Sequence, residues 1–245
     1  MTSDLVPLHD AWHGAPGRAT PGFRAVLLDW RGTLAVAPTT AWLARTALRA
    51  LGRDASPGAV ESVVRRLRAA DASRVDSSEI DTDVDEHQAA YLEWFAAAGL
   101  DDELADALYA AESDPSLNPF AVDVGELLRT LATAGVKLGV VSDIHVDLRP
   151  VFAQQPAGDG TTWADLVDVW ALSYELGAAK PDPVIFRYAL DRLALPPQDV
   201  LMVGDRGAWD GAAAAIGITT LVLPPLTTVG EARLHRVLDL VLPGR

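Results

Sequence analysis

The sequence predicts an α/β protein: a doubly wound, mostly parallel, Rossmann-like sheet with a small helical cap inserted into it. Three observations carry this. Short apolar runs that close on an acid or a hydroxyl recur at 24–29, 137–143 and 200–205. From residue 120 onward such runs alternate with helical patterns, as they do when helices cover both faces of a parallel sheet. Between the first run and that alternation, residues 39–113 hold no strand pattern.

In chain order, residues 1–22 read as a mobile tail, because HGAPGRATPG (13–22) has no periodicity and is broken by Gly and Pro. RAVLLD (24–29) is apolar throughout, which suits a strand buried on both faces. Helices follow at 40–51, 57–72, 85–98 and 101–111; in the first, Ala44, Ala47, Leu48 and Leu51 recur at helical spacing. The acidic stretch 71–85 reads as a solvated loop. A helix at 122–134 leads to the strand KLGVVSD (137–143), and LVDVWAL (166–172) is the next strand. Pro183 opens a helix over Pro183–Leu193. The strand VLMVGD (200–205), a short helix at 209–216, a strand at 219–223 and a terminal helix at 228–240 complete the pattern. The expected organisation is a core of 23–38 and 118–245, with 39–117 as the inserted cap.

Composition narrows the partners. The 245 residues include 34 acidic and 20 basic side chains, a net charge of −14. A field of that sign repels phosphate backbones and argues against nucleic acid. No cysteine is present, which removes disulfides and thiolate chemistry and fits a cytoplasmic setting. The longest apolar run, 211–226, carries Gly, Thr and a Pro pair. It falls short of the ~20 residues that span a bilayer, so no membrane is expected. The first residues carry no apolar block of signal-peptide length. Only two lysines occur, Lys137 and Lys180.

The chemistry collects at the strand ends. Asp29, the Ser142–Asp143 pair and the Gly204–Asp205 pair close three apolar runs. In an open parallel sheet the carboxyl ends of the strands line the ligand crevice. Carboxylates gathered there repel one another unless positive charge joins them, and Lys180 and a Mg²⁺ ion supply it.

These residues resemble four motifs of the haloacid dehalogenase superfamily, in order: LLDWRGTL (27–34), VVSD (140–143), Lys180 within SYELGAAKPDPVIF (173–186), and VGDRGAWDGAAAAIGI (203–218). The resemblance implies a hydrolase in which Asp29 is the nucleophile and forms an aspartyl-phosphate with a small phosphorylated substrate. It implies a Mg²⁺ held by Asp29, Asp205 and the backbone carbonyl of Arg31, with Asp210 completing the metal shell or orienting Lys180. Ser142, Asp143, Lys180 and Arg31 then face the phosphate. Gly32 gives the sharp turn, and the Thr33 hydroxyl ties down the loop. His145, Trp30 and Trp209 flank the motifs. His145 reads as a partly exposed loop residue, and both tryptophans read as packing. His87, Tyr91, Trp94 and Phe95 share a helix face that reads as core.

One position departs from the family. Two residues after the nucleophile, where its phosphatases carry an acid/base Asp, this chain has Arg31. Arginine stays protonated and shuttles no proton. Three readings follow: a Mg²⁺-dependent phosphohydrolase for leaving groups that need no protonation, a carbon–halogen hydrolase of the 2-haloacid type, or a binding or regulatory protein that has lost turnover. The intact Gly204–Asp205 pair favours the first.

Overall fold

The structure is a computed structural model that describes residues 22–244; the tail expected over 1–22 lies outside the described residues except for Gly22. Strand β1 (Ala25–Leu28) is followed by four helices, α1 (Thr40–Ala50), α2 (Pro57–Ala69), α3 (Val84–Ala97) and α4 (Asp102–Glu112). Then come α5 (Val124–Thr133), β2 (Lys137–Ser142), α6 (Arg149–Ala153), the hairpin β3 (Pro156–Gly158) and β4 (Thr161–Thr162), and β5 (Val169–Leu172). The remainder is α7 (Ser173–Leu176), α8 (Pro183–Leu193), β6 (Val200–Gly204), β7 (Thr219–Val222) and α9 (His235–Val241).

Five strands form one sheet in the order β5-β2-β1-β6-β7, and every pair in it is parallel. Leu28 pairs with Val140 on one side and Val203 on the other. The register therefore brings the carboxyl ends of β1, β2 and β6 level, at the point where the strand order reverses.

The strands are apolar on both faces because both are covered. Val26, Leu28, Val140 and Val203 join α5 and α9 in one buried cluster. Ala25, Leu27, Val141 and Met202 join α8 in another. A third cluster belongs to α1–α4, with Ala44, Val64, Phe95 and Leu108 at its centre. Side-chain caps start these helices: Thr39 accepts from Trp42 N, Ser56 from Ala59 N, and Asp101 from Leu104 N.

Several expectations change. The strand expected at 166–172 starts only at Val169, because Ala164–Leu166 is a 3₁₀ turn. The short helix expected at 209–216 is a 3₁₀ turn, Asp210–Ile216. The loop expected over 71–85 contains a 3₁₀ turn, Ser78–Thr82. The terminal helix is confined to His235–Val241. The chain before it is committed elsewhere: the buried Arg233 guanidinium donates to the carbonyls of Gly32 (2.6 Å), Thr33 (2.8 Å) and Pro224. Arg233 thereby pins the loop that follows β1.

Candidate active site

Asp29 leaves the end of β1 with its backbone N–H bonded to Val203 O on β6. The residue is 6 % exposed and both carboxylate oxygens are engaged. Lys180 Nζ donates to Oδ1 at 2.7 Å and Thr33 Oγ1 donates to Oδ2 at 2.9 Å. The same ammonium donates to Asp210 Oδ1 at 2.6 Å. The other Asp210 oxygen accepts the N–H groups of Asp205 (3.1 Å) and Arg206 (2.8 Å). Both Asp210 oxygens are thus occupied, and of its two expected roles these bonds serve the orientation of Lys180. Thr33 was expected to tie down the loop, and its hydroxyl does so by bonding the loop to the Asp29 carboxylate.

Asp205 differs. Its Oδ1 is buried without a hydrogen-bond partner. Donor oxygens of Asp29, Asp205 and Asp210 lie within 4.8 Å of one another. Gly32 sits at φ +83°, and a Cβ there would lie 2.4 Å from Asp205 Oδ2. Only glycine lets the backbone of the 31–32 turn come this close to the carboxylate. An orphaned buried carboxylate oxygen beside a second carboxylate and a bare backbone turn is an all-oxygen donor set of the kind hard divalent cations take.

Ser142 and Asp143 close β2 beside this group. Ser142 is buried. Asp143 Oδ1 accepts the backbone N–H of Lys180 at 2.8 Å, which sets where the lysine leaves its loop. Burial pushes the Asp29 carboxyl above its ordinary range, an effect that Lys180 partly offsets and Asp210 adds to. Burial alone would depress the Lys180 amine, but Asp29, Asp143 and Asp210 outweigh it and hold the amine well above the usual lysine range. Burial and the Asp29 charge lift Asp205 to about 6.

Arg31 goes elsewhere. Its guanidinium is bound by the helical block: it pairs with the Glu112 carboxylate, donates to Glu112 O at 2.8 Å, and donates to Asn118 Oδ1 at 2.8 Å. The expected place of Arg31 beside the phosphate is met only in that it lines the cavity. That cavity, about 160 Å³, lies between the sheet end and the helical block. Asp29, Ser142, Asp143 and Lys180 line one side; Asp81, His87 and Glu112 line the other. A neighbouring cavity of about 220 Å³ among Leu43, Trp94, Phe95 and Leu108 shares Arg31 and Glu112 as its wall.

Sequence reasoning missed the far side. His145 was expected to be partly exposed; it is 2 % exposed, stacked on His87 at 3.4 Å between ring centroids. His87 and Tyr91, expected in the core of the block, line the 160 Å³ cavity. Burial lowers His87 to about 4 and His145 to about 2, and burial with the Asp143 charge raises Asp81 to about 7. Glu112, Asn118 and Asp81 carry no motif; the one available signal was that Arg31 needs an anionic partner. Trp30 is fully buried, as expected. Trp209 is half-buried, with the Arg206 guanidinium 3.7 Å from its ring centre.

Comparison with known proteins agrees with this architecture. The family profile for haloacid dehalogenase-like hydrolases matches residues 23–217. A curated relative, (S)-2-haloacid dehalogenase 4A of Burkholderia cepacia, is 30% identical over 119 residues, 48% of this chain and 48% of that protein. The chain thus spans about half the length of the curated relatives it matches. Among solved structures, a dehalogenase aligns over 91% of this chain and 98% of its own with 22% identity and a TM-score of 0.61. A phosphatase from Thermococcus onnurineus aligns over 82% and 86% with 25% identity and a TM-score of 0.53. Among the described residues no helix is long and apolar enough to cross a membrane. With a profile match across most of the chain and the strand-end acids gathered around one lysine, the chain belongs to the haloacid dehalogenase-like hydrolases.

Proposed function

We propose that this chain is a Mg²⁺-dependent phosphohydrolase acting through an aspartyl-phosphate on a small molecule whose leaving group departs without a proton. The observation that carries the reading is the unpartnered, buried Asp205 Oδ1 beside the Asp29 carboxylate. A hydrolase working without a cation has no use for that oxygen, and leaving it unpaired is costly.

In this reading residues 39–117 are the cap over a core of 23–38 and 118–245. Asp29 attacks phosphorus in line; an Asp29 O–P bond forms and the bond from phosphorus to the leaving oxygen breaks. Lys180 keeps the nucleophile ionised and offsets the charge of the transferring group. Asp210 holds Lys180 in place. The Ser142 hydroxyl and N–H groups at the end of β2 bind phosphoryl oxygens. Water then attacks the aspartyl-phosphate and releases inorganic phosphate. Asp29, Asp205 and the Arg31 carbonyl are the groups that would hold Mg²⁺, whose contribution is to offset repulsion between the incoming phosphate and the nucleophile.

Arg31 narrows the substrate. Its fork is spent on Glu112 and Asn118, and it carries no transferable proton. Losing a positioned acid/base costs about 10²–10⁴-fold, so alkyl phosphates are disfavoured and acyl or aryl phosphates favoured. The cavity of about 160 Å³ is smaller than clefts that enclose drug-sized ligands, so the substrate is small.

A second reading, carbon–halogen hydrolysis of a 2-haloacid, is favoured by the Ala208–Trp209–Asp210 stretch and by the likeness to the Burkholderia protein. Assaying the purified protein with acetyl phosphate and an aryl phosphate separates the two. The first reading predicts phosphate release that EDTA abolishes and Mg²⁺ restores. Halide release from a 2-haloacid, insensitive to EDTA, selects the second. No turnover of either with Mg²⁺ still bound leaves a binding or regulatory role.

A further inference from the structure

The far side of the cavity holds a second group of donor atoms that the proposed reaction does not use. Asp81 comes from the 3₁₀ turn Ser78–Thr82, His87 from the first turns of α3, and His145 from the segment after β2. One donor atom from each lies within 4.8 Å of the other two. The three come from both sides of the junction between helical block and sheet, and Ser173 Oγ donates to Asp81 O at 2.7 Å to fix that junction.

The hydrogen bonds leave one ring nitrogen of each imidazole free. His87 Nδ1 is bonded with Tyr109 OH at 3.2 Å, and His145 Nε2 with Ser113 Oγ at 2.9 Å. The nitrogens that remain are His87 Nε2, 3.6 Å from Asp81 Oδ1, and His145 Nδ1, buried with no partner. At 3.6 Å the Asp81 contact is beyond hydrogen-bond range. Both residues are 2 % exposed. Each ring therefore has one nitrogen oriented by a hydroxyl and the other unspent. Metal-binding histidines are built in this way, the outer partner fixing tautomer and ring direction.

We propose that Asp81, His87 and His145 bind one divalent transition-metal ion of the Zn²⁺, Co²⁺ or Mn²⁺ class. Two imidazoles and one carboxylate select such ions over Mg²⁺, which prefers oxygen alone. Both histidines are held neutral by burial, the form that ligates. Asp81 and His87 line the cavity that also holds Asp29, so the open coordination positions face the substrate space. The rings now stack at 13° between planes. Bonds of about 2.0–2.1 Å to one ion put donors roughly 3.4 Å apart, so binding fans the two rings out of their stack. This site is independent of the phosphohydrolase reading, because its donors take no part in that chemistry.

Titrating the full-length protein with Co²⁺ under saturating Mg²⁺ tests it. The expected result is one Co²⁺ per chain with the visible bands of a nitrogen-ligated ion. His87→Gln and Asp81→Asn each weaken binding by at least tenfold, while Asp205→Asn leaves it unchanged. Asp81 lies at the cavity edge, so its variant keeps the test valid if a histidine variant fails to fold. Zn²⁺ should also shift the imidazole NMR signals of His87 and His145 together. The remaining histidines are His9, His13 and His235. Bands that survive both variants belong to them and overturn the proposal, as does the absence of bands in folded wild type. Bands lost in Asp205→Asn but kept in Asp81→Asn would assign the ion to the strand-end site and also overturn it.

Discussion

The two walls of the cavity are built on opposite terms. On the sheet side, Lys180, Asp29, Asp210 and Thr33 form a closed set of short bonds in which nearly every polar atom is taken. On the far side, where the helical block meets the segments after β1 and β2, Arg31 is locked to Glu112 while His87 and His145 keep unspent nitrogens beside Asp81. For the proposed phosphoryl transfer the closed set is preorganised, with its charges already in place. The open set is unfinished until something occupies the cavity. In the proposed reading the sheet side supplies chemistry, and the far side supplies selection.

The largest effect should come from opening the closed set. Lys180→Met removes the one cation among buried carboxylates, and breaking such a group by deleting a partner costs about 3–5 kcal/mol. Denaturant unfolding should show that loss, and phosphohydrolase activity should vanish. An unchanged midpoint would mean the sheet side is not the tightly balanced cluster described.

Next comes the arginine. Arg31→Asp restores the family's residue, but Glu112 is 5 % exposed and loses its partner in that variant. Arg31→Asp alone should therefore destabilise the protein by roughly 2–4 kcal/mol. Arg31→Asp with Glu112→Gln should recover stability and raise alkyl-phosphate kcat/KM about tenfold or more. If the single variant is as stable as wild type, Arg31 is not a strap between the two walls.

Two smaller effects sharpen the contrast. His145 is held near 2 in the folded protein against about 6.5 in an unfolded chain. The unfolded state alone binds that proton, so stability from this group falls as pH drops through 6.5. The stability difference between wild type and His145→Gln should shrink by about 1–2 kcal/mol from pH 7 to pH 5. Asp81, raised to about 7, works in the opposite sense but is common to both proteins. Thermal melts at the two pH values read this. On the sheet side, Thr33→Val removes one hydrogen bond to the Asp29 carboxylate and should cost about 1 kcal/mol, read in the proposed reaction as a several-fold fall in kcat.

Legibility in the sequence divides along the same line. The sheet was readable because burial on both faces makes β1, β2 and β6 continuous apolar runs, and the register then carries Asp29, Ser142 and Asp205 to one edge. Helix α8 was readable to the residue because Asp182 and Pro183 start it and Leu193 ends its apolar stripe. The far wall was not. Helices α3 and α4 show their periodicity, yet periodicity does not say which turn faces a cavity, so His87 looked like core and Glu112 drew no reading. The partners of Arg31 and of the 31–33 turn, Glu112 and Arg233, lie 81 and 200 or more residues away, beyond the reach of any local pattern. The terminal helix was overdrawn because Arg233 and Asp123 hold its expected first turns to other parts of the chain.

The central claim is that Asp29 accepts a phosphoryl group. Rapid quenching of the protein with acetyl phosphate and Mg²⁺, followed by mass mapping, tests it most directly. The account predicts one phosphoryl group on the peptide containing Asp29, absent with EDTA and absent in Asp29→Asn. A phosphoryl group on another residue, or an ester at Asp29 formed from a 2-haloacid without metal, would contradict it.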